Sequence, residues 1–353
     1  MKLKYCIAGL IILVLIGMAG FLIFQEPARP ARERVLISIL KKDTYNQQAR
    51  IELARLYIES GKYKNAGELL ERTPPNSSTS AQKVETLVLL SRALSRELKF
   101  HTGDAGKFKP SESALAYLYR AEKILTSADD IPGNGKARLH LLLGEELDEQ
   151  GQLDRASSHF NTVLKLSESG KLQLKARMPL LRNLIIEKKE KEAEKEETSF
   201  LKDIEHMSPQ EKQGWLYLLG ESYYMAGNFD KARKYLEQAS GIDFLSSSLL
   251  QSHILISRMF SLKGDNTRAL EELREVKKKL EEALGAPGLD GQSGDFVFGM
   301  VLETAQGFIF VTDEENRDPR IAHHLERLNM ALKEGRYRDA LRQIDKLLSL
   351  QEK

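Results

Sequence analysis

Apolar side chains recur every three or four positions through most of the chain, and this spacing places them on one face of a helix. In the segment 216–223, LYLLGESY, the residues Leu216, Leu219 and Tyr223 fall on a single stripe. Leu, Ala, Glu, Lys and Arg dominate the composition, and these residues lose little side-chain freedom in helices. We therefore predict an all-α chain without a sheet.

The predicted helices come in pairs that share a fixed spacing of small residues. In each pair a Gly ends the first helix and an Ala follows five residues later, and in four pairs a Leu or Ile lies thirteen residues before that Ala. Gly adopts a left-handed conformation at low cost, and Ala allows two helices to cross closely. A second small residue after the Leu, Gly144 or Gly220, serves the same close approach. The Gly and Ala pairs are Gly61 and Ala66, Gly151 and Ala156, Gly227 and Ala232, Gly264 and Ala269, and Gly335 and Ala340.

This joint spacing resembles the tetratricopeptide (TPR) pattern W-x2-L-G-x2-Y…A-x3-F, with Leu or His in place of the Trp. The resemblance implies a TPR-like α-solenoid, here of about six or seven helical hairpins preceded by one N-terminal transmembrane helix. It also implies a concave groove, built mainly from first helices, that holds a peptide or a partner helix. Counting from each turn Gly, the predicted groove residues are Arg138, Leu141, Glu145, Tyr217, Glu221, Tyr224, Met225, Ile254 and Arg258.

Several segments fit the repeat less closely. The segment 81–125 is predicted to be a hairpin with an insertion at 100–109, and 176–207 a divergent repeat with Leu181, Leu184, Leu201 and Ile204 in its core. The charged run 187–197 is interpreted as a solvated helix with opposite charges four residues apart. The Gly-rich segment 285–295 is predicted to be a loop, and the apolar segment 296–311 a buried helix.

The N-terminal segment Tyr5–Phe24 contains no charged residue, and as a helix it would rise about 30 Å, the thickness of a bilayer core. We interpret it as a transmembrane anchor, although a cleaved signal peptide is the alternative. The predicted organisation is a cytoplasmic tail (1–4), the anchor (5–24), a linker (25–35), the repeat array (36–284), a loop (285–295) and C-terminal helices that cap the array (296–353). The short charged tail favours a bacterial inner-membrane protein whose soluble region lies in the periplasm, whereas the basic residues after the anchor favour a cytoplasmic soluble region.

Composition and motifs favour binding over catalysis. The net charge of +2 gives no basis for nucleic-acid binding, and the single cysteine, Cys6, excludes an internal disulfide. His140 and His253 occupy a packing position of the repeat, and no familiar catalytic, metal-binding or cofactor-binding motif is present. We therefore predict a non-enzymatic scaffold that binds a protein or peptide, in envelope assembly or secretion. A cell-wall enzyme using Glu145, Asp148 or Glu221 is the third alternative, and the sequence does not indicate an oligomeric state.

Overall fold

A computed structural model describes residues 29–72, 78–102, 112–242, 244–285, 319–333 and 336–351. Every regular element within these ranges is a helix, so the predicted all-α repeat fold is confirmed. The chain divides into two compact units, Met1–Pro132 and Gly133–Lys353.

The described part of the first unit contains five helices. Their bounds are α1 Arg29–Lys42, α2 Gln47–Glu59, α3 Tyr63–Glu71, α4 Ser80–Thr102 and α5 Glu112–Ser127. Helix α1 rests on α2 through Leu36, which packs in one cluster with Leu53 and Leu56. Helices α2, α3 and α4 share a second cluster that includes Ile51 and Leu70.

The described part of the second unit contains ten helices. Their bounds are α6 Gly133–Glu149, α7 Leu153–Leu166, α8 Gly170–Ile186, α9 Glu190–Ile204, α10 Pro209–Met225, α11 Phe229–Ser240, α12 Ser247–Leu262, α13 Asn266–Gly285, α14 Pro319–Lys333 and α15 Tyr337–Gln351. Helices α2 to α15 form seven successive hairpins among the described residues.

Four hairpin turns use a left-handed Gly. The φ angles of Gly61, Gly151, Gly227 and Gly264 lie between 72° and 78°. The residue after each Gly donates its N–H to a carbonyl in the last turn of the first helix, as from Asn228 N to Tyr223 O at 2.9 Å. This bond satisfies a carbonyl that a helix end would otherwise leave without a partner.

The small residues lie where the two helices of a hairpin approach each other. Ala66, Ala156, Ala232, Ala269 and Ala340 are all buried. A Cβ atom added at Gly144 would lie 2.6 Å from Cε1 of Phe160, and one at Gly220 would lie 2.7 Å from Cγ of Leu236. The hairpins with Gly at these positions therefore leave no room for a larger side chain.

A fifth left-handed turn in the divergent repeat contains Lys188 instead of Gly. Its φ is 57°, and the following residue, Lys189, donates its N–H to Leu184 O at 2.9 Å, as in the other turns. Ala193 lies five residues after Lys188 and is buried. In this register Phe200 is a core residue, whereas Leu201, which we predicted to be in the core, is only partly buried.

One predicted boundary differs in the structure. Helix α1 begins at Arg29, inside the predicted linker 25–35, because Pro30 lies in its first turn, where a missing N–H costs nothing.

Helices α14 and α15 pack against α12 and α13 in one apolar cluster that includes Ile254 and Leu328. The predicted anchor 5–24, the apolar segment 296–311 and Gly335 lie outside the described residues. None of the helices in the described ranges has the length and apolar character needed to span a membrane.

Candidate functional site

A recurrent polar contact joins the two helices in five of the seven described hairpins, between two side chains in four of them and between a side chain and a main-chain carbonyl in the fifth. It links the residue eleven positions before the turn residue, which is Gly or, in the divergent hairpin, Lys188, to the residue eight positions after it, so the partners are always nineteen residues apart. The contacts are His140 Nδ1 with His159 Nδ1 at 2.7 Å, Arg177 Nη1 with Glu196 Oε2 at 2.7 Å, His253 Nδ1 with Glu272 Oε2 at 2.6 Å, His324 Nδ1 with Gln343 Oε1 at 2.9 Å, and Arg50 Nη1 with Leu69 O at 3.0 Å. We refer to these five contacts as the polar rungs.

The polar rungs change the interpretation of the histidines. We predicted His140 and His253 to be packing residues, and the structure shows that they pack and also form hydrogen bonds. In the rung of His140 and His159 one Nδ1 must carry a proton and the other must accept it. Burial, the nearby charge of His159 and that of Lys136 lower the pKa of His140 to about 4. This rung therefore requires at least one neutral imidazole.

The residues predicted to form the groove are divided between the surface and the interior. Five of them are buried: Leu141, Tyr217, Tyr224, Ile254 and Arg258. Arg138 and Met225 are exposed, and Glu145 and Glu221 are partly exposed. In this conformation a partner has access mainly to these last four.

Intramolecular contacts account for several of the buried groove residues. The Tyr217 hydroxyl donates to Glu221 Oε1 at 2.7 Å, and burial, followed by the nearby Glu221 carboxylate, raises the pKa of Tyr217 well above its usual value. The Tyr224 ring lies 5.6 Å from that of Phe229. Ile254 belongs to the apolar cluster that includes the C-terminal helices. Binding at these three side chains would require neighbouring groups to move.

One carboxylate replaces an apolar core residue of the repeat. Glu197 lies nine residues after the turn residue Lys188, the position that Phe160 and Leu236 occupy in neighbouring hairpins. It accepts hydrogen bonds from the hydroxyls of Tyr223 at 2.5 Å and of Tyr235, and from Lys231 Nζ at 3.1 Å. The charged run 187–197 is therefore not a solvated segment throughout, since Glu197 is buried.

The hydrogen bonds to Glu197 keep the carboxylate ionised. Burial raises its pKa, but the bonds from Tyr223, Tyr235 and Lys231 outweigh burial, and the net pKa is lowered. Burial and the same carboxylate raise the pKa values of Tyr223 and Tyr235. The negative charge of Glu197 is thus compensated by its three hydrogen-bond donors. Since these residues come from three helices, the cluster connects α9, α10 and α11.

The carboxylates considered for catalysis have partners within the chain. Asp148 forms an ion pair with Arg182, and Glu221 accepts the hydrogen bond from Tyr217. No group of three or more potential metal ligands occurs within the described ranges. A shallow, open depression of about 450 Å³ lies beside α11 and is lined by Asp230, Arg233, Lys234, Glu237 and Gln238. Its lining comes from one face of one helix and mixes both charge signs, so it does not converge on a ligand.

The repeat spacing, the left-handed turns and the buried Ala residues agree with a family comparison. The family model for the SusR N-terminal TPR domain matches residues 32–248, more than half of the chain. The chain belongs to this TPR family. The matched region of the SusR-type TPR domain includes the hairpins with Gly61, Gly151 and Gly227 and the divergent hairpin with Lys188.

Solved structures with similar folds are more distant from this TPR protein. BtubC from P. vanneervenii is 17% identical, with a TM-score of 0.44, and the match covers 72% of this chain and 98% of that one. PilF from Pseudomonas aeruginosa is 15% identical, with a TM-score of 0.43 and coverage of 66% and 90%. The apo form of RapI is 15% identical, with a TM-score of 0.44 and coverage of 71% and 90%. No curated protein matches the sequence.

Proposed function

We propose that this protein is a membrane-anchored TPR scaffold that binds a protein or peptide partner and acts without catalysis. The observation that carries the proposal is that helical hairpins stack within each unit of the described structure, two in the first unit and five in the second. Stacked hairpins present long helix faces to solvent, and such faces suit extended peptides or partner helices. Binding to a partner is therefore the activity that this architecture supports best.

The accessible part of the predicted groove suggests the character of the partner. Arg138, Glu145 and Glu221 provide both charge signs, and Met225 adds an exposed, adaptable apolar side chain at the end of α10. An amphipathic helix or an extended peptide with mixed charge would fit this combination. A nucleic acid would not, because its phosphates would meet two carboxylates.

The membrane part of the proposal rests on the uncharged segment Tyr5–Phe24. If Lys2 and Lys4 lie on the cytoplasmic side of the inner membrane, the repeats lie in the periplasm of a bacterium, and we propose a role there in envelope assembly or secretion. A cytoplasmic orientation is the second candidate, since α1 exposes Arg34, Lys41 and Lys42 soon after the anchor. The anchor would raise the local concentration of repeats near a membrane partner, so a weak affinity could suffice.

Site-specific photocrosslinking in cells tests partner binding. A photoreactive residue placed at Met225 or Arg138 is expected to trap one or a few discrete partners. Leu166, at the end of the second helix α7, is a matched control because it is as exposed as Met225, at 39% against 38%. Equal trapping from Leu166 and Met225, or none from Met225 and Arg138, would argue against a partner at this face.

Reporter fusions test the orientation separately. A C-terminal fusion to alkaline phosphatase is active only in the periplasm, and a fusion to a reporter that folds only in the cytoplasm gives the opposite result. Activity of the phosphatase fusion alone is the expected outcome. Activity of the cytoplasmic reporter alone would support the second orientation and leave the binding proposal unchanged.

A further inference from the structure

The first described helix, α1, has two different faces. Its inner face packs on α2 through Leu36, with Ile37 and Leu40 beside it. Its outer face exposes Val35 at 54% and Ile39 at 37%, one helical turn apart. Among the described helices only α2 packs against α1, on its inner face, so no described helix covers the apolar stripe of Val35 and Ile39.

Basic side chains surround this apolar stripe. The described side chains of α1 that are exposed are Arg34, Val35, Ser38, Ile39, Lys41 and Lys42, and none of them is acidic. The only acidic residue of α1, Glu33, lies 3.2 Å from Lys62 in an ion pair with the first hairpin. Asp43 follows the helix, and its carboxylate accepts the backbone N–H of Tyr45 at 3.0 Å. The outer face of α1 therefore combines an apolar centre with cations at both ends.

The distance along the chain determines what can lie against this face. Four residues lie between Phe24, the end of the apolar segment, and Arg29, the start of α1, so the five steps from Phe24 to Arg29 span at most about 18 Å. The polar layer of a bilayer leaflet is about 5 to 8 Å thick. A helix tethered this closely, with an apolar stripe flanked by Lys and Arg, fits the interfacial layer, where apolar side chains enter the headgroup boundary and cations meet anionic lipids.

We propose that the outer face of α1 docks on the membrane surface, with Val35 and Ile39 in the headgroup boundary and Arg34, Lys41 and Lys42 at anionic headgroups. This inference rests on the proposed anchor. Docking would place the axis of α1, which is about 21 Å long, parallel to the bilayer surface. The first hairpins would then be held at a fixed orientation to the membrane, not on a free tether.

A fluorescent probe on a single cysteine tests the docking. Cys6 is the only cysteine, so full-length Cys6→Ser protein in vesicles with anionic lipid accepts one new cysteine at a time. A probe at Ile39→Cys is expected to shift to shorter wavelength and to be quenched by headgroup-attached quenchers. The control is Tyr119→Cys on α5 of the same unit, which is 67% exposed and is expected to respond only to an aqueous quencher.

Substitutions separate docking from other causes of shielding. With the probe at Ser38→Cys, Val35→Glu combined with Ile39→Glu is expected to abolish lipid quenching, and both positions are exposed, so folding is preserved. Replacing one cationic side chain by a neutral one, as in Lys41→Gln, is expected to lower the ratio of docked to undocked α1 about fivefold. Replacing the anionic lipid with a zwitterionic one should act in the same direction.

Each remaining outcome contradicts the docking in a recognisable way. A probe at residue 39 that behaves like the probe at residue 119, in protein that resists carbonate extraction from the vesicles, would overturn docking and leave the anchor intact. Protein that is extracted from the vesicles would overturn both. Shielding of residue 39 from the aqueous quencher, without quenching by the headgroup-attached quenchers, would point to a second copy of the chain as the occupant and overturn the membrane proposal.

Discussion

One added methyl group at Gly144 tests whether the hairpins need a small side chain where their helices approach. In Gly144→Ala the new Cβ would lie 2.6 Å from Cε1 and 2.9 Å from Cδ1 of Phe160. Non-bonded carbon atoms normally lie about 3.5 to 4.0 Å apart, so the ring would have to move by about 1 Å. Phe160 is completely buried in a close-packed interior, and overpacking of this kind costs about 1–3 kcal/mol.

A favourable effect opposes this cost. Replacing Gly by Ala within a helix gains about 1 kcal/mol, so we expect a net loss of up to about 2 kcal/mol in the free energy of unfolding. Gly170→Ala, at the start of α8 in the same unit, is the matched control because no heavy atom lies within 4 Å of the added Cβ. We expect that control to leave stability unchanged or slightly raised.

Denaturant unfolding followed by tryptophan fluorescence measures both variants. Trp215 is the only tryptophan and is buried in the second unit, so its emission reports the unfolding of the unit that contains both glycines. In Gly144→Ala combined with Phe160→Leu, the loss should be smaller than the sum of the two single losses, because Leu gives the methyl group room. A gain in stability from Gly144→Ala, or strict additivity in the double variant, would refute the close-approach argument.

Three further predictions concern the divergent hairpin and the polar rungs. Replacing Lys188, at φ 57°, by Gly should raise thermal stability by up to about 1 kcal/mol, and a loss would contradict the strain. Glu197→Leu should cost about 2 kcal/mol in denaturant unfolding, because two buried tyrosine hydroxyls lose their acceptor, and the loss should nearly vanish when both tyrosines are replaced by Phe. The lowered pKa of His140 means that the unfolded chain binds its proton more tightly, so stability should fall as pH drops from about 6.5 to about 4, by at most about 3 kcal/mol. In His140→Leu this part of the pH dependence should disappear, and an unchanged profile would contradict the assignment.

The repeat itself could be predicted because its signals are local. A left-handed turn favours Gly through local conformation alone, as at Gly61 and Gly227. An Ala five residues later marks the point where the two helices of the hairpin approach closely. The same spacing was present between Lys188 and Ala193, but Lys is not an expected residue for a left-handed turn. Recognising it would have placed Glu197 in the core and would have moved the core position from Leu201 to Phe200.

The binding face could not be predicted to the same extent, because burial depends on contacts that are distant in sequence. Helical periodicity identifies the apolar side of a helix but not which neighbour covers it. Ile254 lies at a groove position by counting from Gly264, yet it packs with Leu328, more than seventy residues away. Tyr217 likewise appeared as an aromatic contact for a partner, whereas in the structure its hydroxyl is directed to Glu221.

The polar rungs offer a physical reason why similar hairpins pair correctly. Apart from Glu197, the core positions of the repeats hold similar apolar side chains, so they distinguish one second helix from another only weakly. The rungs differ: His140 meets an imidazole, Arg177 a carboxylate and His324 an amide. If α8 paired with α7, Arg177 would lie opposite His159 instead of Glu196, and its guanidinium would lose the carboxylate, at a cost of about 1–3 kcal/mol for such a mismatch. Since native stability is itself only about 5–15 kcal/mol, a few mismatches are enough to disfavour an exchanged arrangement.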